Sequence, residues 1–246
     1  MTRRHPFVSV ILPVYNGALF LGAALQSIDS QSLDLEILIH DDGSTDATPR
    51  LLDDLVGTDP RIRVTSGANA GPAAARNLCL ARAAGDFVAF MDHDDIWPLG
   101  RLARQLQALA NAPAAGGVLG HTMIFDTVDE NGRPVDSPKS RRVLAGLLQA
   151  GLFRRAALTP LGGFDTSLSA ADDLDFLLRL VESGALLEID PEIAVFYRLH
   201  AGQWTANLQQ TGLQTARALA RSLRRRRRDS AAPPLAWRLH GDRGSH

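Results

Sequence analysis

Three short polar clusters in the first half of the chain carry residue types that could hold a metal ion and a phosphate. They are Pro13-Val-Tyr-Asn16, Asp41-Asp-Gly-Ser-Thr-Asp46 and Asp92-His-Asp-Asp95. Five or more carboxylates in one crevice would repel each other unless a cation or hydrogen-bond donors relieved them. An Asp-x-Asp pair in an extended loop places both carboxylates on one side, and such oxygen ligands suit Mg²⁺ or Mn²⁺, which also accept phosphate oxygens. We therefore expect a divalent metal with a diphosphate.

The three clusters follow apolar runs that predict strands. The elements expected before residue 112 are strands at 7–15, 35–39, 61–65 and 87–90, and helices at 19–28, 46–55, 72–84 and 98–109. This alternation predicts an α/β fold, with a mostly parallel sheet and helices on both faces. Ligands of such sheets bind beyond the carboxyl ends of the strands, where the clusters would converge. The same residues could instead only cap turns, but three clusters at strand ends favour a binding site.

The second half shows less regular patterns. Its expected elements are a strand at 118–127, a helix or helix-and-turn at 144–153, a helix at 172–182, strands at 186–189 and 193–199, and an amphipathic helix at 209–228. That last helix ends in five arginines, Arg224 to Arg228, which could meet phosphate head groups or an acidic acceptor, or form a solvated helix end. Beyond residue 229, Pro233-Pro234 and a polar composition predict a loosely ordered tail.

The composition narrows the class of protein. The 246 residues are 45% apolar, enough for a buried core. The formal net charge of −1 argues against a general attraction to nucleic acid or to an anionic membrane, so any such attraction must be local. A single cysteine, Cys79, cannot form an internal disulfide, so a reducing cytosol is expected. No stretch approaches the roughly eighteen uninterrupted apolar residues of a membrane-spanning helix.

The motifs, taken in order and spacing, resemble those of glycosyltransferase family 2, whose members have the GT-A fold. The matching segments are Ser9-Val-Ile-Leu-Pro-Val-Tyr-Asn-Gly17, Asp41-Asp-Gly-Ser-Thr-Asp46, Asn69-Ala-Gly71 with Ala75-Arg-Asn77, Phe90-Met-Asp-His-Asp-Asp95, Gly162-Gly-Phe-Asp165, Ala171-Asp-Asp-Leu-Asp175 with Arg179, and Tyr197-Arg-Leu-His200. The resemblance covers about residues 7–205. Each motif alone is weak, but the ordered set is highly specific.

The resemblance implies one GT-A domain over residues 1–228. A nucleotide-binding half at about 7–112, an acceptor-side half at about 113–205 and a C-terminal helix at about 206–228 would form it, with 229–246 as a flexible tail. In the nucleotide-binding half, Tyr15 would pack on the nucleotide base.

The resemblance also implies which other residues bind the nucleotide. Asp42 would hydrogen-bond the base with Asp41 nearby, and Pro13 belongs to the same turn as the tyrosine that packs on the base. Asp92 would lie near the ribose. Uridine is the base that the family resemblance favours.

The resemblance assigns the reaction chemistry to a second set of residues. Asp94 would ligate the Mn²⁺ or Mg²⁺ bound to the diphosphate, and His200 can meet the metal or the diphosphate, although it could equally be a packing residue. Asp173 falls where the catalytic base is expected, although it could be only an acid favoured at a helix N-terminus. The family's Glu-Asp pair is here Asp172-Asp173. Arg76 is expected to hold the loop and helix, not to touch substrate.

The implied function is inverting, metal-dependent transfer of a sugar from a nucleotide diphosphate sugar to an acceptor hydroxyl, one sugar per encounter. Two alternatives stay open: a sugar-nucleotide nucleotidyltransferase and a catalytically inactive nucleotide-sugar-binding protein. Nucleotidyltransferases of that kind carry a Gly-x-Gly-Thr-Arg-Leu loop after the first strand, and the absence of this loop here counts against the first alternative. The acceptor could be a glycan, a lipid-linked molecule or a small molecule, and no nucleic acid partner is expected. The expected location is the cytoplasm, with a peripheral position at the inner face of the membrane as an alternative.

Overall fold

The computed structural model describes residues 7–130, 133–144, 146–200, 208–228 and 237–239 of the chain. Strands and helices alternate regularly in its first half and irregularly afterwards. No helix in these ranges is both long enough and apolar enough to cross a lipid bilayer.

The first half consists of four strands, each followed by a helix. Their bounds are β1 Val8–Val14, α1 Leu21–Asp29, β2 Leu35–Asp41, α2 Thr48–Val56, β3 Ile62–Ser66, α3 Pro72–Leu80, β4 Phe87–Phe90 and α4 Arg101–Asn111. Every residue of β1 and β2 is buried. Burial on both faces explains why these strands are mostly apolar, although the buried polar residues Ser9, Glu36 and His40 interrupt the apolar runs. The predicted order of elements in this half is confirmed.

The second half mixes strands with shorter helices. Its elements are β5 Ala115–Phe125, β6 Arg141–Val143, β7 Gly151–Arg154, α5 Arg155–Leu158, α6 Asp172–Glu182, β8 Leu186–Arg198, α7 Leu208–Arg228 and β9 Trp237–Leu239. Short 3₁₀ turns occupy Leu148–Ala150 and Thr159–Leu161. The two strands predicted around residues 186–199 form the single strand β8, whose pairing with β5 contains register shifts.

The strands of both halves form one sheet, in the order β3-β2-β1-β4-β7-β5-β8-β9, with β6 paired to β5. Five pairs are parallel, and β7 runs antiparallel to both of its neighbours, β4 and β5. The predicted α/β fold with a mostly parallel sheet is confirmed. Because β1, β2 and β4 are parallel neighbours, their carboxyl ends lie along the same edge of the sheet.

Each face of the sheet is covered by its own apolar core. Val10 and Leu12 of β1 pack in one core with Leu102 of α4. Ile11, between them in sequence, packs in the other core with Phe176 of α6. Side chains of a strand alternate between its two faces, so β1 contributes to both cores at once.

The helix or helix-and-turn predicted at residues 144–153 is wrong, because the segment contains only a short 3₁₀ turn at Leu148–Ala150 and then enters the sheet as β7. Leu152 points into one core and Phe153 into the other. A strand buried on both faces shows no polar alternation, and a short apolar run fits a helix and a strand equally well.

The C-terminal residues also differ from the prediction of a loosely ordered tail. Trp237–Leu239 forms the edge strand β9, which pairs in parallel with β8 through Leu187 and Trp237. The prediction is therefore wrong for these three residues. The rest of the predicted tail lies outside the described residues.

Gly120 of β5 lies so close to β8 that a side chain has no room. A Cβ atom there would be 2.4 Å from the Cβ of Ala194 and 3.1 Å from the carbonyl oxygen of Glu192. Neither atom can rotate away, so we expect Gly120→Ala to lower the free energy of unfolding by about 1–3 kcal/mol. Urea unfolding followed by circular dichroism measures the loss.

The matched control is Gly22→Ala in α1, where a Cβ atom would meet nothing within 4 Å. This change should leave the free energy of unfolding unchanged or raise it by up to about 1 kcal/mol, because alanine is the better helix former. Equal stability of the Gly120→Ala and parent proteins would contradict the close pairing of β5 and β8.

Candidate active site

A cavity of about 720 Å³ opens at the carboxyl ends of β1, β2 and β4. Residues from both halves of the chain line it, among them Pro13, Tyr15, Asn16, Leu19, Phe20, Asp42, Gly71, Arg76, Asp92, Asp94, Leu147, Gln149, Asp172, Asp173, Tyr197 and His200. The structure thus brings together every candidate site residue named from the sequence except Asp41. Asp41 is buried, and its carboxylate accepts the backbone N–H of Ser44 at 3.0 Å.

Hydrogen bonds between two loops fix the part of the cavity wall that carries the tyrosine. Asn16 has a left-handed backbone conformation with φ of 50°. Its backbone N–H donates to the Ser44 hydroxyl at 2.8 Å, and its side-chain oxygen accepts the N–H of Thr45 at 2.8 Å. The next N–H, of Gly17, donates to the Thr48 hydroxyl at 2.9 Å. Asn16 of the first polar cluster and Ser44-Thr45 of the second therefore hold the loops after β1 and β2 together.

Asp42 connects the end of β2 to the loop before α3. Its two carboxylate oxygens accept the backbone N–H groups of Ala70 and Gly71, both at 2.8 Å. Gly71 has φ of 87°, a conformation that glycine adopts without strain. Each carboxylate oxygen has a second lone pair, so Asp42 can still accept a hydrogen bond from a ligand in the cavity.

Arg76 lies at the centre of a buried charge network. Its Nη2 donates to Asp92 at 2.8 Å and its Nη1 donates to Asp172 at 2.7 Å. Gln149 also donates its amide to Asp92. Burial alone would raise the pKa of Asp92, but the charge of Arg76 and the Gln149 hydrogen bond outweigh it and hold the pKa below its ordinary value.

The expectation that Arg76 only holds the loop and helix is therefore incomplete, because its side chain lines the cavity and joins two of its carboxylates. Asn77, next to it, does hold a loop: it exchanges two hydrogen bonds with the backbone of Phe164. Sequence reasoning missed Gln149, which lies in a turn of the segment predicted as helical and carries no motif.

The acid pair lies in the first turn of α6, after Ala171 in the left-handed conformation. Asp172 is buried against Arg76, whereas Asp173 is half-buried and faces the cavity. An oxygen of Asp173 accepts the N–H of Leu174 at 2.8 Å. Burial and the neighbouring charge of Asp172 raise the pKa of Asp173 to about 6, against the opposing charge of Arg76. A carboxylate with this pKa can accept a proton near neutral pH.

Asp94 and His200 are in contact on the cavity wall, with 2.9 Å between a carboxylate oxygen and Nε2. The His200 ring also packs against Phe20, with ring centroids 4.6 Å apart. A carboxylate oxygen and an imidazole nitrogen are a donor pair that Mn²⁺ accepts. In the described part of the chain, three or more His, Cys, Asp or Glu side chains do not gather at any point to hold a metal. The pair therefore fits a cation whose remaining ligands come from a phosphate and water.

Arg198 of β8 supports the loop that carries Asp94. Its Nε donates to the Asp94 carbonyl at 2.9 Å, and its backbone N–H donates to the Asp95 carboxylate at 3.2 Å. The guanidinium lies 4.9 Å from the ring of Phe20 and 4.8 Å from that of Phe125. Burial, with the nearby charges of Asp94 and Asp92, raises the pKa of Asp95 well above its ordinary value. Asp95, the last acidic residue of the cluster, is thus structural.

Comparison with known proteins agrees with this geometry. Residues 9–158 match the sequence model of glycosyl transferase family 2. The chain belongs to this family. A pre-mycofactocin glycosyltransferase of Mycobacterium tuberculosis is 31% identical over 219 residues, which are 82% of this chain and 45% of the relative. This chain spans about half the length of the curated relatives that it matches.

Two solved structures share the fold of this family member. Mannosyltransferase PcManGT from Pyrobaculum calidifontis, in complex with GDP-Man and Mn²⁺, gives a TM-score of 0.70 at 24% identity, over 94% of this chain and 66% of that one. S. aureus TarS 1-349, in complex with UDP-GlcNAc, gives a TM-score of 0.65 at 20% identity, over 90% of this chain and 72% of that one. The fold is therefore GT-A, as the sequence motifs predicted.

Removal of the Arg76 charge should strongly destabilise the protein. Arg76→Gln would leave the buried Asp172 and the half-buried Asp92 without their shared cation. Breaking a buried ion pair in this way costs about 3–5 kcal/mol, so we expect a loss of that size in the free energy of unfolding at neutral pH. Chemical denaturation monitored by tryptophan fluorescence measures it.

The matched control is Arg82→Gln, which removes an exposed arginine just after the same helix. Its free energy of unfolding should change by no more than about 0.5 kcal/mol. If both variants unfold like the parent protein, the network around Arg76 does not stabilise the fold.

Proposed function

We propose that this protein is an inverting glycosyltransferase that moves one sugar per encounter from a nucleotide diphosphate sugar to an acceptor hydroxyl. One observation carries the proposal: Asp173, with a pKa of about 6, faces the same cavity as Asp92, Asp94 and His200. A proton acceptor and a pair of side chains suited to a phosphate-bound cation are the two parts that such a transfer needs.

The donor would occupy the part of the cavity formed by the first half of the chain. Tyr15 is partly exposed there and offers its ring to a nucleobase, with Pro13 beside it and Asp42 as a hydrogen-bond acceptor. Asp92 would accept hydrogen bonds from the ribose hydroxyls. The cavity volume of about 720 Å³ lies within the roughly 300–1,000 Å³ typical of small-molecule sites.

The donor nucleotide of this protein is proposed to be UDP. TarS binds UDP-GlcNAc and PcManGT binds GDP-Man, so the shared fold accommodates either base. Resemblance of the Tyr15 and Asp42 motifs to those of the family favours uridine.

Asp94 and His200 are the residues that would hold Mn²⁺ or Mg²⁺. The cation would supply positive charge to the departing diphosphate. The two side chains orient each other through their 2.9 Å contact, and Arg198 keeps the Asp94 backbone in place. Support for a divalent cation also comes from PcManGT, whose complex contains Mn²⁺.

Asp173 is proposed to act as the general base. The acceptor hydroxyl gives its proton to the Asp173 carboxylate while its oxygen forms a bond to the anomeric carbon. The bond from that carbon to the diphosphate oxygen breaks, and its electron pair leaves with the nucleotide diphosphate. Attack opposite to the leaving group inverts the configuration at the anomeric carbon. Asp172 stays paired with Arg76 and maintains the position of the helix start.

We expect the reaction to require a divalent cation and Asp94. Chelation should abolish the release of nucleoside diphosphate from a panel of UDP-sugars and GDP-sugars, and Mn²⁺ or Mg²⁺ should restore it. Asp94→Ala should lower turnover by roughly 10²-fold or more, because the charge of the leaving group is no longer neutralised. Asp53→Ala, at an exposed position of α2, is the control and should keep the parent rate. Full activity of the parent and of Asp94→Ala in excess chelator would contradict the proposal.

We expect Asp173→Asn to retain nucleotide binding and lose transfer. The amide keeps the shape of the side chain but cannot accept the proton, so the rate should fall by roughly 10²–10⁴-fold. Single-turnover transfer and calorimetric titration with UDP and Mn²⁺ measure the two effects separately, with Asp53→Asn as the control. If nucleotide binding is lost as well, Asp173 has a structural role at the helix start.

The pH dependence of transfer tests the same base. Because the pKa of Asp173 is raised to about 6, the ionised base predominates above that pH and is lost by protonation below it. The rate should therefore fall by about tenfold per pH unit on the acid side. The residual activity of Asp173→Asn should lack this acid limb. The range from about pH 5 to about pH 7 extends roughly one pH unit to either side of this pKa. A parent rate that stays constant over this range would exclude Asp173 as the base.

A further inference from the structure

The inner side of α7 is bound firmly to the rest of the protein. Gln214, Ala218 and Ser222 recur every four residues and are buried. Gln214 donates to the Ser169 hydroxyl at 3.0 Å, and Ser222 donates to Glu182 of α6. This spacing places the buried residues on one side of the helix, so α7 has a defined inner and outer face.

The arginine run at the end of α7 is divided between these two faces. Arg225 is directed inward, where it donates to Glu182 at 2.6 Å and to the buried Asp175 at 3.0 Å. Arg224, Arg227 and Arg228 are exposed. The interpretation of the run as a solvated or membrane-associated helix end is therefore wrong for Arg225, and it stays a prediction for the exposed arginines.

The outer face of α7 combines apolar and basic side chains. Leu213, Leu219 and Leu223 are 54%, 44% and 57% exposed. At about 100° per residue, these leucines and the exposed alanines Ala216 and Ala220 share an arc of about 120°. We call this arc, with the arginines described next, the outer face of α7.

Basic residues border this apolar arc. Arg217, Arg224 and Arg228 project along one edge of it, and Arg227 lies within it at the C-terminal end of the helix, as the helical spacing requires. Among the described residues, no carboxylate forms an ion pair with any of these four arginines. The helix contains seven arginines and no acidic residue. Its outer face therefore presents uncompensated positive charge next to exposed leucine.

We propose that the outer face of α7 binds the surface of an anionic phospholipid bilayer. Arginines would meet the lipid phosphates while the leucines enter the boundary between head groups and acyl chains, as in helices that lie in the plane of a membrane. A nucleic acid would satisfy the charges but would leave the leucines in water. The proposal concerns a surface outside the cavity, and it does not depend on the transfer reaction.

Vesicle sedimentation tests the proposal. The full chain is mixed with vesicles of phosphatidylglycerol and phosphatidylcholine, and separately with vesicles of phosphatidylcholine alone. We expect sedimentation with the anionic vesicles only, and a weaker association at high salt. Replacement of Arg224, Arg227 and Arg228 by glutamine should weaken the partition coefficient by roughly 100-fold, since each basic residue near an anionic surface contributes about fivefold.

Two further variants separate charge from apolar contact. Leu213→Gln with Leu223→Gln should also reduce binding at least about tenfold, because the apolar contact is lost. The control for the leucines is Val56→Gln with Leu78→Gln, and the control for the arginines is Arg50→Gln, Arg82→Gln and Arg133→Gln, all exposed and elsewhere on the protein. The controls should bind like the parent, and thermal unfolding of each variant checks that the fold is retained.

The proposal is overturned if the folded parent does not sediment with anionic vesicles. It is also overturned if the parent binds but the arginine and leucine variants bind equally well. A third result would assign the surface differently. The parent would not bind vesicles, but light scattering would show that it self-associates and that the leucine changes abolish this self-association. The outer face of α7 would then be an interface between copies of this chain, and the membrane proposal would be overturned.

Discussion

The architecture of the cavity depends on one buried guanidinium, that of Arg76. It joins the carboxylate that follows β4 to the carboxylate that begins α6, and these two residues come from different halves of the chain. Burial of the Arg76 and Asp172 charges, with Asp92 half-buried beside them, is costly unless the ion pairs have good geometry. The two contacts of 2.7 and 2.8 Å meet that condition. The position of the helix carrying Asp173 relative to the loop carrying Asp94 is therefore set by this ion triad.

The same charges adjust the proton affinity of the proposed base. Burial and Asp172 favour the protonated form of Asp173, and the positive charge of Arg76 moderates them. A pKa of about 6 is low enough for the group to be ionised at neutral pH and high enough for it to take up a proton. Asp92 lies closer to the same cation and to Gln149, and its pKa is shifted in the opposite direction, below its ordinary value. Carboxylates that line one cavity are therefore suited to different tasks.

The sequence predicted most of the first half and much of the candidate site, for a physical reason. Apolar periodicity marks strands and helices locally, and polar residues at parallel strand ends meet at one edge, so Tyr15, Asp42 and Asp94 could be placed without coordinates. The pairing of Arg76 with Asp172 could not be predicted, since the two residues are 96 positions apart and leave no local pattern. Gln149 was missed because the strand after its turn is buried on both faces and shows no periodicity.

The insertion of β7 between β4 and β5 has a consequence for how the protein can move. Because this strand hydrogen-bonds on both sides, the first and second halves of the chain are joined by continuous backbone pairing from β4 through β7 to β5. Rotation of one half against the other would break that pairing, so a hinged clamshell closure is not available to this fold. Entry of the proposed nucleotide-sugar donor and departure of its nucleotide would instead be controlled by side chains and connecting loops at the rim. The spacing between the proposed donor-binding groups and the proposed base would then stay fixed.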